Sequence, residues 1–448
     1  MRALLVAALF AALLTACGTT NPNGTGGGAG GGSAGSSAGG AGGATGGSTG
    51  GGNGGGSAGG TGGAGGGTTT SDGGVTWYKD VLPIVQRNCL ACHAAGGIGP
   101  FTLDTWANAQ PRSASLADAT SNHRMPPWKP DPSCGGPFVG ERRLTQAEID
   151  TFGAWDQAGA PAGNPADAPP PPDGGLPGLP RVDQTIVMPD AYTPSATLTD
   201  DYRCFLVDPA LAADKQVTGY DILPGVAAEV HHVIVYIVDK AAAQAKDSAD
   251  PGPGWQCFGG VNTTSDGALG AWAPGSGAVL FPAGTGIRLP AANRALAIQV
   301  HYNTLAGVRT PDQTSIKLMY AASPVTGAYL LPLVADGFSI PAMTNGYSYS
   351  KTFANPAPID IKVWGLLPHM HTLGRRITIT GPSNACLIDI PNWDFHWQQS
   401  YFRPSPFTLG ASQSLTVGCT WDNPTARTIT WGEGTTDEMC FAFVYATP

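Results

Sequence analysis

The sequence predicts a multidomain chain: a small all-α unit followed by two all-β antiparallel sandwich domains of jelly-roll-like type. Three observations predict it. A capped, amphipathic helical pattern closes residues 75–163, a proline-rich stretch covers 164–180, and from Arg181 onward short apolar runs alternate with Gly, Pro, Asn and Asp turns. The 448 residues suffice for about three domains. Only 12% of residues are charged and the net charge is −9, which argues against a nucleic-acid partner.

The chain opens MRALLVAALFAALLTAC. Arg2 supplies a positive start, and the apolar stretch Ala3–Leu14 is too short to span a bilayer. Leu14-Thr15-Ala16-Cys17 resembles a bacterial lipoprotein box, so residues 1–17 are expected to be a signal with lipidation at Cys17. That reading places the chain in the bacterial cell envelope, held to a membrane by lipid. An ordinary signal peptide with a chance cysteine is the alternative. Residues 18–74 are nearly all Gly, Ser, Ala, Thr and Asn. Such a stretch cannot bury a core and reads as a disordered spacer, about 40 Å in root-mean-square span.

Residues 75–163 follow. Val81, Leu82, Ile84 and Val85 lead into Cys89-Leu90-Ala91-Cys92-His93, the CxxCH pattern of c-type haem attachment. Two thiols bond the porphyrin and the histidine next to them reaches the iron. A zinc half-site would need a second Cys/His pair, and only His123 and Cys134 offer themselves. Met125, followed by Pro126 and Pro127, is the expected second axial ligand, with His123 as its rival. In LTQAEIDTFGAWDQAG, Thr145 and Glu148 form a capping box, Ile149, Phe152 and Trp155 line one face, and Gly159 stops the helix. The set resembles a class I cytochrome c, which implies one covalently attached haem c.

The β half divides into 181–326 and 327–448. Five of the eight histidines cluster there: His231 and His232 in HHVIVYIVD, His301 in ALAIQVHYN, His369 and His371 in LLPHMHTLG. Met439 lies in TTDEMCFAF. Imidazoles with a thioether suit copper. His369 and His371 are two apart and share a face of a strand, whereas adjacent His231 and His232 diverge. Both can bind one metal only through a bulge or through Nδ1 of one ring. His396 is expected to pack among Trp393, Phe395 and Trp397. Besides Cys17, Cys89 and Cys92, six cysteines remain for disulfides in an oxidising compartment: Cys134, Cys204, Cys257, Cys386, Cys419 and Cys440.

In this order, HHVIVYI, QVHYN, HMHTLG and DEMC resemble the copper type II, ascorbate-dependent monooxygenases; GAWAPGSGAVLFPAGTGIRL is similar to the family segment before the third histidine. The resemblance covers about residues 195–448 and implies two copper ions. His231, His232 and His301 would hold an electron-transfer copper. His369, His371 and Met439 would hold a catalytic, oxygen-binding copper across an open solvent cleft. It also implies disulfides Cys204–Cys257 and Cys419–Cys440, and leaves Cys134 and Cys386 to pair or stay free. A further family cysteine before the HMH motif is missing. The implied reaction is hydroxylation of a C–H bond of a small molecule with O2, two electrons coming from ascorbate or another donor.

Two departures shape that expectation. Family members that act on peptides clamp a carboxylate with an arginine where this chain has Leu367, and with asparagine and tyrosine where it has Phe441 and Phe443. Apolar side chains cannot satisfy a buried carboxylate, so a more apolar or aromatic substrate is expected. The tethered haem offers a second electron route, expected to feed the first copper. The alternative function is a haem–copper electron-transfer or copper-handling lipoprotein that does not hydroxylate.

Overall fold

Among residues 75–163, apolar side chains at helical spacing fold onto one another. The computed structural model describes residues 74–95, 99–170, 178–274, 276–304, 307, 309–434 and 436–448. Cys17, the spacer before Gly74 and linker residues 171–177 lie outside the described residues. A π-type turn, Trp77–Val81, runs into the helix Leu82–Asn88, then the single turn Leu90–His93. After Trp106–Ala109 and Ser113–Ser121, the helix Gln146–Gln157 closes the unit. Its start carries the expected Thr145–Glu148 capping box, worth about 1 kcal/mol. Ile149, Phe152 and Trp155 are buried beside Trp77, Val81 and Val85.

The segment between the last two helices leaves this core. Trp128 and Phe138 join the core of residues 333–446 and pack on Tyr401, at ring-centroid separations of 5.4 and 5.7 Å. A disulfide between Cys134 and Cys386 fastens the segment there, which settles the pairing that the sequence left open.

The β half follows period-2 patterning: Ser414–Asn423 alternates half-buried and buried throughout. Arg294–Asn303 is buried along nearly its whole length because it is central in its sheet and covered. Among the described residues a five-stranded sheet runs Trp255–Gln256, Asp200–Val207, Arg294–Asn303, Val230–Asp239, Ser265–Trp272. A four-stranded sheet runs Thr344–Ala354, Ser414–Asn423, Gly374–Thr380, Cys386–Ile390. Each packs on one part of a nine-stranded sheet, Phe205, Val235 and Ile298 meeting Val217, Ile222 and Leu318, and Val417 and Ile379 meeting Val363 and Val444.

The two sandwiches therefore share a sheet. Thr326–Val334 pairs in parallel with Thr285–Leu289 and antiparallel with Phe441–Thr447, so the strand at the expected domain boundary belongs to both. Pairing in this way removes two exposed strand edges. Disulfides Cys204–Cys257 and Cys419–Cys440 are present as the resemblance implied. No helix among the described residues is long and apolar enough to cross a membrane.

Candidate metal centre

His231, His232 and His301 converge. Val230 pairs with Tyr302 and His232 with His301, so His231 is an extra residue in its strand, a bulge that turns its ring to the same side as its neighbour. All three rings meet through Nδ1, with separations of 2.9, 3.3 and 3.4 Å. A point equidistant from the corners of such a triangle lies about 1.9 Å from each, close to the ~2.0 Å of an imidazole–metal bond. His301 Nε2–H donates to Asp200 Oδ1 at 2.9 Å, which leaves Nδ1 bare as a lone-pair donor. Tyr202 lies flat on His301, 4.0 Å between centroids and 11° between planes. His231 Nε2 is buried without a hydrogen-bond partner, so nothing on the far side of that ring competes for it.

His369 and His371 offer their other nitrogens. The strand Ile361–His369 ends at the first of them. His369 Nδ1–H donates to Gln398 Oε1 at 2.7 Å, and His371 Nδ1–H to the Asp437 carbonyl at 3.0 Å. Both rings thus keep Nε2 free, with centroids 5.1 Å apart. Glu438 braces the chain around them. Its buried carboxylate accepts from the backbone N–H of His371 (3.1 Å), Leu373 (2.6 Å) and Met439 (3.3 Å) and from Trp421 Nε1 (2.9 Å). The same oxygen accepts from the backbone N–H of both His371 and Met439. Burial raises the Glu438 carboxyl to about 7 against these hydrogen bonds.

Burial holds the five imidazoles neutral, the state in which they can donate to a metal. It pushes His231 down to about 2, aided by His301 and His371, His371 to about 3, and His369 to about 4 against the Gln398 bond. His232 falls well below its ordinary value for the same reason, and His301 falls in spite of Asp200.

The two clusters do not face each other across an open cleft. His231 and His371 stand 6.5 Å apart between ring centroids, as do His232 and His369. Phe395 fills the space beside them, stacked on His231 at 4.7 Å and 6.2 Å from His371. Bonds between the two halves hold them shut: Tyr202 O–H to the Glu433 carbonyl, Gly259 N–H to Glu433 Oε2 at 2.9 Å, and Ser276 Oγ–H to the Gln398 carbonyl at 3.1 Å. The expected cleft is corrected on these contacts.

His396 does not pack among the aromatics. Its side chain is 84% exposed and nearest Asp394 in charge, while Phe395 and Gln398 turn inward from the same segment. Of the apolar positions singled out in the sequence, Phe441 pairs with His369 across the strands, its ring 6.3 Å away, and Leu367 pairs with buried Phe443.

In the helical unit Cys89 and Cys92 are free thiols. Burial pushes Cys89 up to about 12 and raises Cys92. His93 is buried and its Nδ1–H donates to the Phe101 carbonyl at 3.0 Å, which leaves Nε2 for a ligand. Gly99 lies against that ring: a Cβ there would come within 2.6 Å of His93 Nδ1. These features fit a porphyrin attached at the two thiols. Met125 and His123 both line a small cleft with Thr120, Trp128, Leu144 and Ile149; His93 is not part of its lining.

Sequence reading missed Asp200, Tyr202, Phe395, Gln398 and Glu438. Glu438 stands inside the DEMC motif and was open to notice; the others carry no local signal, because their partners are distant in sequence.

Residues 326–447 match the copper type II ascorbate-dependent monooxygenase C-terminal domain. Similar curated proteins include tyramine beta-hydroxylase of Caenorhabditis briggsae, 25% identical over 51% of this chain and 41% of that protein. DBH-like monooxygenase protein 2 of Mus musculus is 25% identical over 49% of this chain and 38% of its own length. The putative DBH-like monooxygenase protein 2 of Homo sapiens is 22% identical over 60% and 54%. The chain spans about two fifths to a half of the length of these relatives. The similarity to the copper type II monooxygenases thus consists of the match to their C-terminal domain and of relatives 22–25% identical.

Proposed function

We propose that the chain is a copper-dependent monooxygenase that hydroxylates a C–H bond of a small organic molecule. Carbon–hydrogen substrate, O2, two electrons and two protons become alcohol and water. The observation that carries this reading is the meeting of three bare Nδ1 atoms with two histidines whose Nε2 atoms are bare and whose backbone is tied to Met439. His231, His232 and His301 hold one copper, and His369, His371 and Met439 the other; copper supplies one-electron redox chemistry and oxygen activation. Asp200 and Gln398 fix the rings, and the apolar walls at Leu367, Phe441 and Phe443 favour an apolar or aromatic substrate over a carboxylate. The relatives' printed names, a tyramine hydroxylase among them, fit an aromatic substrate.

The reading continues beyond the copper half. Cys89, Cys92 and His93 would hold a haem c, with Met125 as the candidate for its second ligand, and the group would accept single electrons from ascorbate or another donor. Lipid on Cys17 holds the protein to the cell envelope. Metal and haem analysis of the purified full chain, followed by an oxygen-uptake screen of small aromatic and aliphatic compounds, tests it. Two coppers, one haem and substrate-dependent uptake that yields a hydroxylated product are expected. Uptake that yields only peroxide makes the chain a haem–copper electron-transfer protein instead, and a chain without copper overturns both.

A further inference from the structure

We propose that Glu433 is a positioning residue that joins the two histidine clusters, so that the order of His371 and Met439 in one sandwich depends on Tyr202 in the other. The inference deepens the copper reading, and rests on it only where metal binding is predicted.

The strand Asp200–Val207 carries Asp200, Tyr202 and Cys204 at alternate positions, hence on one face. Two of them touch His301: Asp200 accepts from its Nε2–H, and Tyr202, its register partner, lies flat on its ring. The third, Cys204, is bonded to Cys257, whose N–H donates to the Tyr202 carbonyl at 3.2 Å. Gly259 follows two residues later. Its φ of 80° suits glycine, and its N–H points at the other sandwich.

Glu433 receives both. Its carbonyl accepts from Tyr202 O–H, and its Oε2 from Gly259 N–H at 2.9 Å. The residues around it are bonded to one another. Gly432 N–H donates to the Glu438 carbonyl and Glu438 N–H to the Thr430 carbonyl, each at 3.2 Å, and Asp437 N–H donates to the Gly434 carbonyl at 2.9 Å. These bonds fold Glu433 back beside Asp437 and Glu438. From there the Asp437 carbonyl orients the His371 ring, and Glu438 accepts from the N–H groups of His371, Leu373 and Met439.

From His301 to His371 the contacts are therefore a ring stack, a phenol on a carbonyl, a hydrogen-bonded turn and a carbonyl on an imidazole. Each junction is between named groups of this chain. His369 is tied across the halves by a different residue. Gln398 accepts from its ring, while the Gln398 carbonyl accepts from Ser276 and the Gln398 N–H donates to the Pro274 carbonyl at 3.5 Å. A change at Glu433 should reach His371 and Met439 and spare Gln398. Cutting the link frees residues 430–439 to open without breaking bonds to the first sandwich, so the groups they hold lose protection.

The test is amide hydrogen exchange on the full chain without copper, so its first arm does not depend on the copper reading. Tyr202→Phe keeps the ring on His301 and removes only the bond to Glu433; Glu433→Ala removes the bond to Gly259. In each, the amides of His371, Leu373 and Met439 should exchange at least about fivefold faster than in the native chain. The Gln398 amide should be unchanged. Glu433→Gln keeps an acceptor for Gly259 and should restore native exchange. Faster exchange confined to residues 200–204 and 257–260 overturns the link, as does an equal rise at Gln398, which would mean that the halves have simply separated. A second arm titrates cuprous ion into the native chain and Tyr202→Phe, with sulfur scattering in X-ray absorption reporting copper at Met439. The variant should hold that copper at least about fivefold more weakly. A native chain that takes no copper defeats the proposed function while the exchange result stands; a native chain that takes copper while exchange is unmoved in both variants defeats the link alone.

Discussion

His231 and His371 come from different sandwiches and stand 6.5 Å apart, ring to ring, with Phe395 packed beside both. The halves are closed on each other by their own hydrogen bonds, and the first cluster is buried against the second.

Ligand removal should split by cluster. His301→Ala and His369→Ala should each retain about one copper of two after dialysis, read by metal analysis. Gln398→Leu keeps all expected ligands but removes the acceptor that orients His369, and copper on that side should bind roughly 10–100-fold more weakly. Loss of both coppers in either histidine variant, with folding intact, would contradict the assignment to two sites.

Glu438→Gln should disturb the second cluster through the backbone. One carboxylate accepts four N–H groups; an amide has a single acceptor oxygen and brings N–H donors of its own. We expect a loss of about 1–3 kcal/mol in denaturant unfolding. The first cluster should keep its copper.

The Cys134→Ser/Cys386→Ser double variant should loosen the helical unit from its seat. Removing a disulfide that closes so long a loop costs about 2–5 kcal/mol. The expected result is early proteolysis within residues 126–143, with the β half still resistant. Equal resistance of the two proteins would show that Trp128 and Phe138 hold the seat alone.

The metal-free chain should lose stability as pH falls from about 6.5 towards 4. The histidines of the clusters titrate at the ordinary 6.5 when unfolded and lower when folded, to about 4 for His369 and about 3 for His371. In this window the unfolded chain binds more protons, so stability present above 6.5 is lost on acidification. Glu438 acts oppositely: its folded value near 7 lies above the ordinary 4.5, and it favours the folded state as pH falls. Five histidines outweigh one carboxylate. Thermal melting of the metal-free chain at a series of pH values reads the net slope, and a melting temperature rising on acidification would refute the balance.

Phe441→Asn with Phe443→Tyr, together with Leu367→Arg, should shift the chain towards substrates bearing a carboxylate. Phe441 faces His369 and Leu367 pairs with Phe443, so the three substitutions fall in one patch. Buried Phe443 makes that change the most disruptive of the three. Competition between a neutral aromatic and its carboxylate analogue measures the preference.

Local chemistry was legible wherever it lies within a few residues. The capping box at Thr145, the alternation of the strands, the CxxCH turn and the need for a bulge or Nδ1 at His231-His232 are all short-range. Both of the latter occur at the first cluster, because a bulge alone turns two adjacent rings to one side, and Nδ1 alone reaches the shared point. The Cys134–Cys386 bridge was not legible, because its halves lie 252 residues apart and nothing near either cysteine names the other. His396 was misjudged for a similar reason: aromatic neighbours in sequence suggested packing, yet the segment turns Phe395 and Gln398 inward and leaves His396 in solvent.

By itself the sequence determined the residue types and their order: five histidines and a methionine able to hold copper, a thiol pair able to hold haem, and apolar residues at positions 367, 441 and 443. Those follow from side-chain chemistry and spacing. Only the tertiary structure decided which nitrogen each ring offers, that the two clusters abut, and that the helical unit is seated against the His369 side. Ring orientation is set by partners such as Asp200, Gln398 and Asp437, and the seat by a disulfide, the Trp128 and Phe138 anchor and the hydrogen bonds of Gln399. All of these are contacts between residues far apart in the chain, which no local pattern can specify.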